Sequence, residues 1–205
     1  LIVSDSIQKF ISGGFLVPVD HYVGSIPELS KIKLRGGDYE NFPLSIQMMK
    51  KNILADLVST YKDKCHGKST IVFAVNIDHS KQIVASYNRN GISAAHIDAT
   101  TSTKEREQII SDFKNKKIQV VSNVEIITEG FDFPECEVVQ LARPTKSLSL
   151  YLQMVGRVLR PSEGKLRGLV LDHANLWLEH GLSTINRNWS LIGLGKQKKV
   201  ENEIK

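Results

Sequence analysis

From residue 70 onward the apolar positions fall into short runs separated by longer amphipathic stretches. Runs at 71–75, 94–97, 118–121, 138–142 and 168–172 are four or five residues long, rich in Val, Ile and Leu, and bounded by polar or glycine-bearing turns. That pattern predicts buried strands. Helix signals sit between them. Asp78 is placed to cap a helix reaching Asn90-Gly91, and Ser102 with Glu105 forms a capping box for a helix over 103–114. Ser147 caps a third helix that runs to about Arg160, where Pro161 stops it. Strands alternating with helices predict an α/β fold: a three-layer domain with a mostly parallel central sheet covered by helices on both faces.

The chain before residue 70 is less regular. A short helix over 6–11 ends at Gly13-Gly14, and a strand over 15–23 surrounds Pro18. Residues 24–43 hold Gly24, Pro27, Gly36, Gly37 and Pro43 and read as one long connection. A helix over 44–62 follows, with Ile46, Met49, Ile53, Leu57 and Val58 on its inner side. The chain divides into an entry segment with its first helix (1–66), a core (67–175) and a partly flexible extension (176–205), whose basic run at 196–199 is a solvated tail. Leu1 stands in mid-pattern, as at the start of an excised piece.

Two stretches imitate nucleotide-binding motifs. Gly67-Lys68-Ser69-Thr70 resembles the end of a phosphate-binding loop, but the glycine needed five residues earlier is Lys62, and the tetrapeptide precedes a strand. Leu169-Val170-Leu171-Asp172 ends like a metal-binding strand, yet His173 follows where a second acid is needed; a core strand ending in a capping aspartate fits better.

Composition narrows the class. A chain of 205 residues can bury a full core, and 41% hydrophobic content is ordinary for a water-soluble domain. The net charge of +5 leans towards an anionic partner. Cys65 and Cys136 have neither disulfide nor zinc spacing and suit a reducing cytoplasm; no metal is assigned to the chain itself. No apolar run approaches the ~18 residues of a membrane span.

The sharpest chemical signal lies on the helix after Ser147. Gln153, Arg157 and Arg160 are spaced i, i+4, i+7 and project from one face, with Gly156 leaving room beside them. Leu152, Val155, Val158 and Leu159 form the apolar side. Two arginines on a rigid helix make a compact positive clamp whose planar forks match phosphate oxygens. Upstream, Thr128-Glu129-Gly130-Phe131-Asp132 forms a loop broken by Pro134.

Gln153-x-x-Gly156-Arg157-x-x-Arg160 resembles motif VI of superfamily 2 helicases, and Thr128 to Asp132 resembles their motif V. Order and separation match the second RecA-like domain of that family over residues 68–175. By that resemblance Arg160 is the arginine finger, Arg157 is a second phosphate-contacting arginine, and Gln153 stands near the attacking water. Gly130 and Asp132 would contact the nucleotide. Asn76 of motif IV, Thr100, and Ser122 with Asn123 at the start of motif V would meet the nucleic-acid backbone. Arg106 matches a further arginine of the family, although a helix salt bridge with Asp or Glu serves equally well. Asp98-Ala99-Thr100 stands where relatives have His-Gly-Asp.

The family's phosphate-binding loop and DExx box are not in this sequence. The resemblance assigns them, with ATP and Mg²⁺ binding, to an N-terminal RecA-like domain of the same polypeptide. It implies the C-terminal domain of an ATP-dependent helicase or translocase, cytoplasmic and without a membrane partner, closest to bacterial or phage repair and restriction-type helicases. DNA is favoured over RNA, and the chain alone is expected to be inactive. The alternative is a RecA-like module that binds nucleic acid or protein and serves no ATPase.

Overall fold

The computed structural model describes residues 5–125 and 133–187. Gly130, Asp132 and the rest of the loop from Thr128, together with the basic run at 196–199, lie outside the described residues. Six strands form one sheet: β1 (Val19–Val23), β4 (Thr70–Phe73), β5 (Ala94–Ile97), β6 (Val120–Asn123), β7 (Val138–Leu141) and β8 (Gly168–Asp172). Their order is β1-β8-β7-β4-β6-β5, and every neighbouring pair is parallel.

Strand alternation divides the core into two layers. Ile71, Phe73, Val121, Val139, Leu141 and Val170 point to one face, closed by Phe113 of α5 (Thr103–Lys114) and by Tyr151, Met154, Val155 and Val158 of α6 (Leu148–Leu159). Val72, Val120, Val138, Leu169 and Leu171 point to the other, covered by Leu54, Leu57 and Tyr61 of α3 (Lys51–Cys65) and by Ile83 and Tyr87 of α4 (Ile77–Arg89). The fold is therefore a three-layer α/β sandwich. Each large side chain buried in these layers contributes on the order of 1.5–3 kcal/mol. Gln140, at the centre of β7, is wholly buried; it is satisfied by the Tyr87 hydroxyl and by donating to Leu57 O at 2.9 Å. Among the described residues no helix is long and apolar enough to cross a membrane. Cys65 and Cys136 are buried free thiols, both pushed up to about 12 by burial.

Several elements depart from the sequence pattern. The expected helix over 44–62 is two helices, α2 (Asn41–Met48) and α3, broken where Lys50 turns extended at ψ 140°. Leu44 and Met48 of α2 join Val75 and Ile53, the latter from the first turn of α3, while Leu57 and Val58 further along α3 pack on the sheet. Ile46, expected inside, is 52% exposed. Nothing local marks that break. The connection 24–43 contains a hairpin, β2 (Leu34–Arg35) with β3 (Asp38–Tyr39), turned by Gly36 and Gly37 at φ +62° and +88°. Positive φ at both turn residues is the glycine signature of a tight hairpin. β1 starts only after Pro18 and does not include Phe15, which is 71% exposed.

Two corrections touch the candidate site. Asn76, not Asp78, caps α4: its Oδ1 accepts from His79 N at 2.9 Å, and Asp78 lies inside the first turn. β6 extends through Ser122 and Asn123, two residues past the apolar run expected at 118–121. The extension past residue 175 begins with α7 (Leu176–His180), held by Asp172, whose carboxylate accepts from Ala174 N and Trp177 N. That is the capping aspartate expected at the end of the last strand.

Candidate functional site

Parallel strands give the sheet an amino edge and a carboxyl edge, and the candidate residues divide between them. α6 leaves the carboxyl end of β7 and runs back to the amino edge. There Leu159 O accepts from Val17 N at 2.9 Å, just ahead of β1. Gly168 opens β8 at the same place. A Cβ on it would sit 2.7 Å from Val158 O, so only glycine lets strand and helix approach this closely. The arginine pair therefore lies at the amino edge.

Ser147 caps α6 as expected, its Oγ accepting from Leu150 N at 3.2 Å. The three motif side chains do not share one exposed face. Gln153 is exposed and makes only a long bond to Ser149 Oγ, at 3.4 Å. Arg157 is 8% exposed and engaged within the fold. Arg160 is the C-cap, half-buried, with ψ at 133°. Pro161 explains this, because the residue before a proline is driven out of helical geometry. Arg160 thus departs from the helix end and not from its side. Beside Gly156 there is open space: a Cβ there would meet nothing within 4 Å.

Asn76, Thr100, Ser122 and Asn123 gather at the carboxyl ends of β4, β5 and β6, three neighbouring strands. The N-termini of α4 and α5 open on the same edge, capped by Asn76 and Ser102. Unpaired helix amides and the positive end of the helix dipole favour anions there. The four side chains are not equivalent. Thr100 is exposed and Asn76 half-buried. Ser122 and Asn123 are 0% and 1% exposed, with Ser122 Oγ 2.6 Å from Ser80 Oγ and Asn123 Nδ2 donating to Val72 O at 2.9 Å. Their side chains are committed inside the sheet, so only their backbone faces this edge.

Behind the Thr100 turn runs a buried polar chain that sequence reasoning missed. Asp98 Oδ1 accepts from Thr100 N at 2.7 Å, Thr100 Oγ1 at 2.6 Å and Thr101 N at 3.1 Å. Asp98 Oδ2 lies 3.0 Å from His96 Nε2, His96 Nδ1 lies 2.7 Å from Ser80 Oγ, and Ser80 continues to Ser122. Burial opposes charge on Asp98, but the bonds from Thr100 and His96 outweigh it and hold the carboxyl well below its usual range. Among the described residues Arg106 makes no carboxylate salt bridge; its Nη2 donates to Asp98 O and Thr101 O at 3.2 and 3.4 Å, closing the same turn. Asp98-Ala99-Thr100 therefore builds an ordered turn despite its departure from His-Gly-Asp.

Also unforeseen is the hairpin's part in placing α6. Asp38 accepts from Thr145 Oγ1 and from Lys146 N, the latter at 2.8 Å, and so fixes the segment that delivers Ser147 to its cap. The paired glycines at 36 and 37 were the available signal for the hairpin, but none marked its docking site.

His79 adds a pH dependence at the carboxyl edge. Burial lowers its pKa to about 4, and its Nδ1 accepts from Val75 N at 3.2 Å, which only the neutral ring can do. The unfolded chain takes up that proton near pH ~6.5, whereas the folded chain resists until about 4. Stability is therefore complete above pH ~6.5 and falls as pH drops towards the folded pKa, by roughly 2 kcal/mol at pH 5. Burial lowers His21 and His180 in the same direction. Thermal melts from pH 7 to pH 5 should show the decline, and His79→Gln should flatten it; equal slopes in both proteins would rule His79 out as the cause.

Comparison with known proteins identifies the family. The profile described as helicase conserved C-terminal domain matches residues 49–162. A "51.5 kDa protein" of a Lactococcus phage is 33% identical over 199 residues, 97% of this chain and 44% of the relative. "Putative ATP-dependent helicase IRC3" of Saccharomyces cerevisiae is 36% identical over 148 residues, 71% of this chain and 22% of the relative. Among solved structures, the fragment of "a putative HsdR subunit of a type I restriction enzyme" from Vibrio vulnificus superposes with a TM-score of 0.69 at 24% identity, over 86% of this chain and 35% of that one. The chain thus spans less than half the length of each of these proteins.

Proposed function

The chain belongs to the helicase conserved C-terminal domain family, and from that premise we propose that it is the arginine-bearing half of an ATP-dependent nucleic-acid helicase or translocase. The observation that carries this reading is the separation of the two candidate sites: an arginine pair at one edge of the sheet, and helix N-termini with short polar residues at the other.

The residues at the amino edge suit part of a triphosphate site and not the whole of one. Arg157 and Arg160 supply cationic donors beside the open space at Gly156. The sequence lacks the glycine of a phosphate-cradling loop, and among the described residues no cluster of three or more acidic, His or Cys side chains could hold a metal. ATP with Mg²⁺, held mainly by a preceding RecA-like domain, supplies the phosphoanhydride that is cleaved. Arg160 brings positive charge to the oxygens where negative charge grows, and Arg157, the second phosphate-contacting arginine of this reading, stands in the last turn of the same helix. Gln153, exposed on α6, orients water in this reading. Gly130 and Asp132 border the nucleotide in this reading.

At the carboxyl edge, Asn76, the Thr100 turn and the backbone at Ser122 and Asn123 meet phosphates without reading bases. Domain closure on ATP and reopening after hydrolysis would move the strand past this edge. DNA is favoured over RNA, because the Glu129–Asp132 loop and the run from Arg143 to Ser147 resemble repair and restriction-type helicases. A cytoplasmic setting fits the two free cysteines.

The test uses the isolated chain. It should turn over no ATP and should bind single strands weakly, without sequence preference, with affinity falling roughly tenfold between 50 and 200 mM salt. ATP turnover abolished by Arg160→Ala, or salt-insensitive and sequence-selective binding, would contradict the reading.

A further inference from the structure

Lys165 stands outside every motif. It occupies the loop between α6 and β8, in a turn closed by its own amide, which donates to Ser162 O at 3.1 Å, and by Gly164 at φ +74°. Its side chain does not extend into water, the usual course for a lysine. Nζ donates to Arg160 O at 2.9 Å and to Pro134 O at 3.0 Å, and among the described residues no carboxylate shares it. Burial lowers the pKa of this ammonium, as expected of a group drawn into the fold.

Both carbonyls matter. Arg160 is the C-cap of α6, so its carbonyl points out of the helix, where Lys165 Nζ meets it. A cation there also complements the negative end of the helix dipole. Pro134 lies on the chain that enters β7, the strand preceding α6. One ammonium therefore ties the end of the arginine helix to the strand entry beside it. Arginine side chains are long: a tilt of 10–20° at the Cα displaces the guanidinium by roughly 1–2 Å, enough to cost about 10² in rate where a reacting group must be aligned.

We propose that Lys165 is a positioning residue for Arg160: by bridging the carbonyls of Arg160 and Pro134, it sets the direction in which the Arg160 side chain leaves α6. This rests on the reading that Arg160 acts at the nucleotide. The bridge leaves the opposite edge untouched, so its loss should slow turnover without weakening the hold on nucleic acid.

The experiment is steady-state ATP hydrolysis by the complete polypeptide with saturating single-stranded DNA, with melting temperatures measured alongside so that rates refer to folded protein. Lys165→Met should lower kcat by about 10- to 100-fold with KM for ATP and affinity for DNA nearly unchanged, in keeping with a misaligned but present catalytic charge. Lys165→Arg should recover most of the rate, because a guanidinium also donates to two carbonyls. In an Arg160→Ala background Lys165→Met should have no further effect on kcat, since a residue that acts through Arg160 cannot add to its loss. If Lys165→Met does not yield folded protein, Lys165→Gln is read in the same way. An unchanged kcat in Lys165→Met while Arg160→Ala is impaired overturns the positioning role alone. An equal drop in both backgrounds also overturns it, as a general structural loss. If Arg160→Ala itself is fully active, the arginine reading fails first and takes this proposal with it.

Discussion

Arg160→Ala in the complete polypeptide should lower kcat for ATP hydrolysis by about 10² or more, the range for losing a charge contact made in the transition state. Arg160→Lys should not restore it. Lysine keeps the charge, but it loses the planar fork and shortens the reach. Arg160 also sits one residue past α6, where the backbone has already turned extended. A point charge on a flexible stem leaving at that angle would not reproduce a bidentate contact. Affinity for nucleic acid without nucleotide should barely change, because Asn76 and the Thr100 turn lie at the opposite edge of the sheet. Steady-state ATPase assays with saturating DNA, paired with binding measured without ATP, separate the two. Intact kcat with abolished DNA binding would make the α6 arginines a nucleic-acid clamp, and the finger assignment would be dropped.

Asp98→Ala should have the largest combined effect on stability and strand binding. The substitution removes the acceptor for Thr100 N, Thr100 Oγ1 and Thr101 N, and leaves His96 Nε2 without its carboxylate. Asp98 is 3% exposed, so solvent screening does little to weaken these bonds. The loss should be about 2–3 kcal/mol, the value of a buried charged acceptor with several donors, or roughly 5–10 °C in Tm for a chain of this size. The turn at Thr100 would lose its order, and affinity for single strands should fall roughly tenfold, equivalent to one or two lost polar contacts. Asp98→Asn should do less, since the amide retains one acceptor for the turn. Its Nδ2 would face His96 Nε2, however, so the ring must adopt the tautomer protonated at Nδ1 and reverse the hydrogen bond to Ser80. Calorimetry with strand-binding titrations at one salt concentration checks both effects. A stable Asp98→Ala protein with unchanged strand affinity would remove the Thr100 turn from the proposed nucleic-acid edge.

Much of this protein was determined by local chemistry that a sequence displays. β-branched runs of four or five residues with amphipathic stretches between them admit few arrangements other than a parallel sheet covered twice. Caps at Ser6, Ser102 and Ser147 and the stop at Pro161 are set within three or four residues of the backbone they act on. Helical spacing put Gln153, Gly156 and Arg157 on one helix, but it could not show that Arg157 is buried or that Arg160 leaves from the helix end. What the sequence could not show depends on residues far apart in it. The break at Lys50 lets Leu44 and Met48 of α2 meet Ile53 of α3 and Val75, while the rest of α3 packs on the sheet. Asp38 holds Thr145 and Lys146 across more than a hundred residues, and Asp98, His96, Ser80 and Ser122 meet only because β5 and β6 pair beside α4. Ser122 and Asn123 look like free phosphate donors in sequence, but the sheet turns their side chains inward, where burial obliges each to find a partner. The division of the site between two edges is likewise tertiary: it follows from α6 running antiparallel to the strands, which carries its last turn, and Arg160 with it, to the side opposite the helix N-termini.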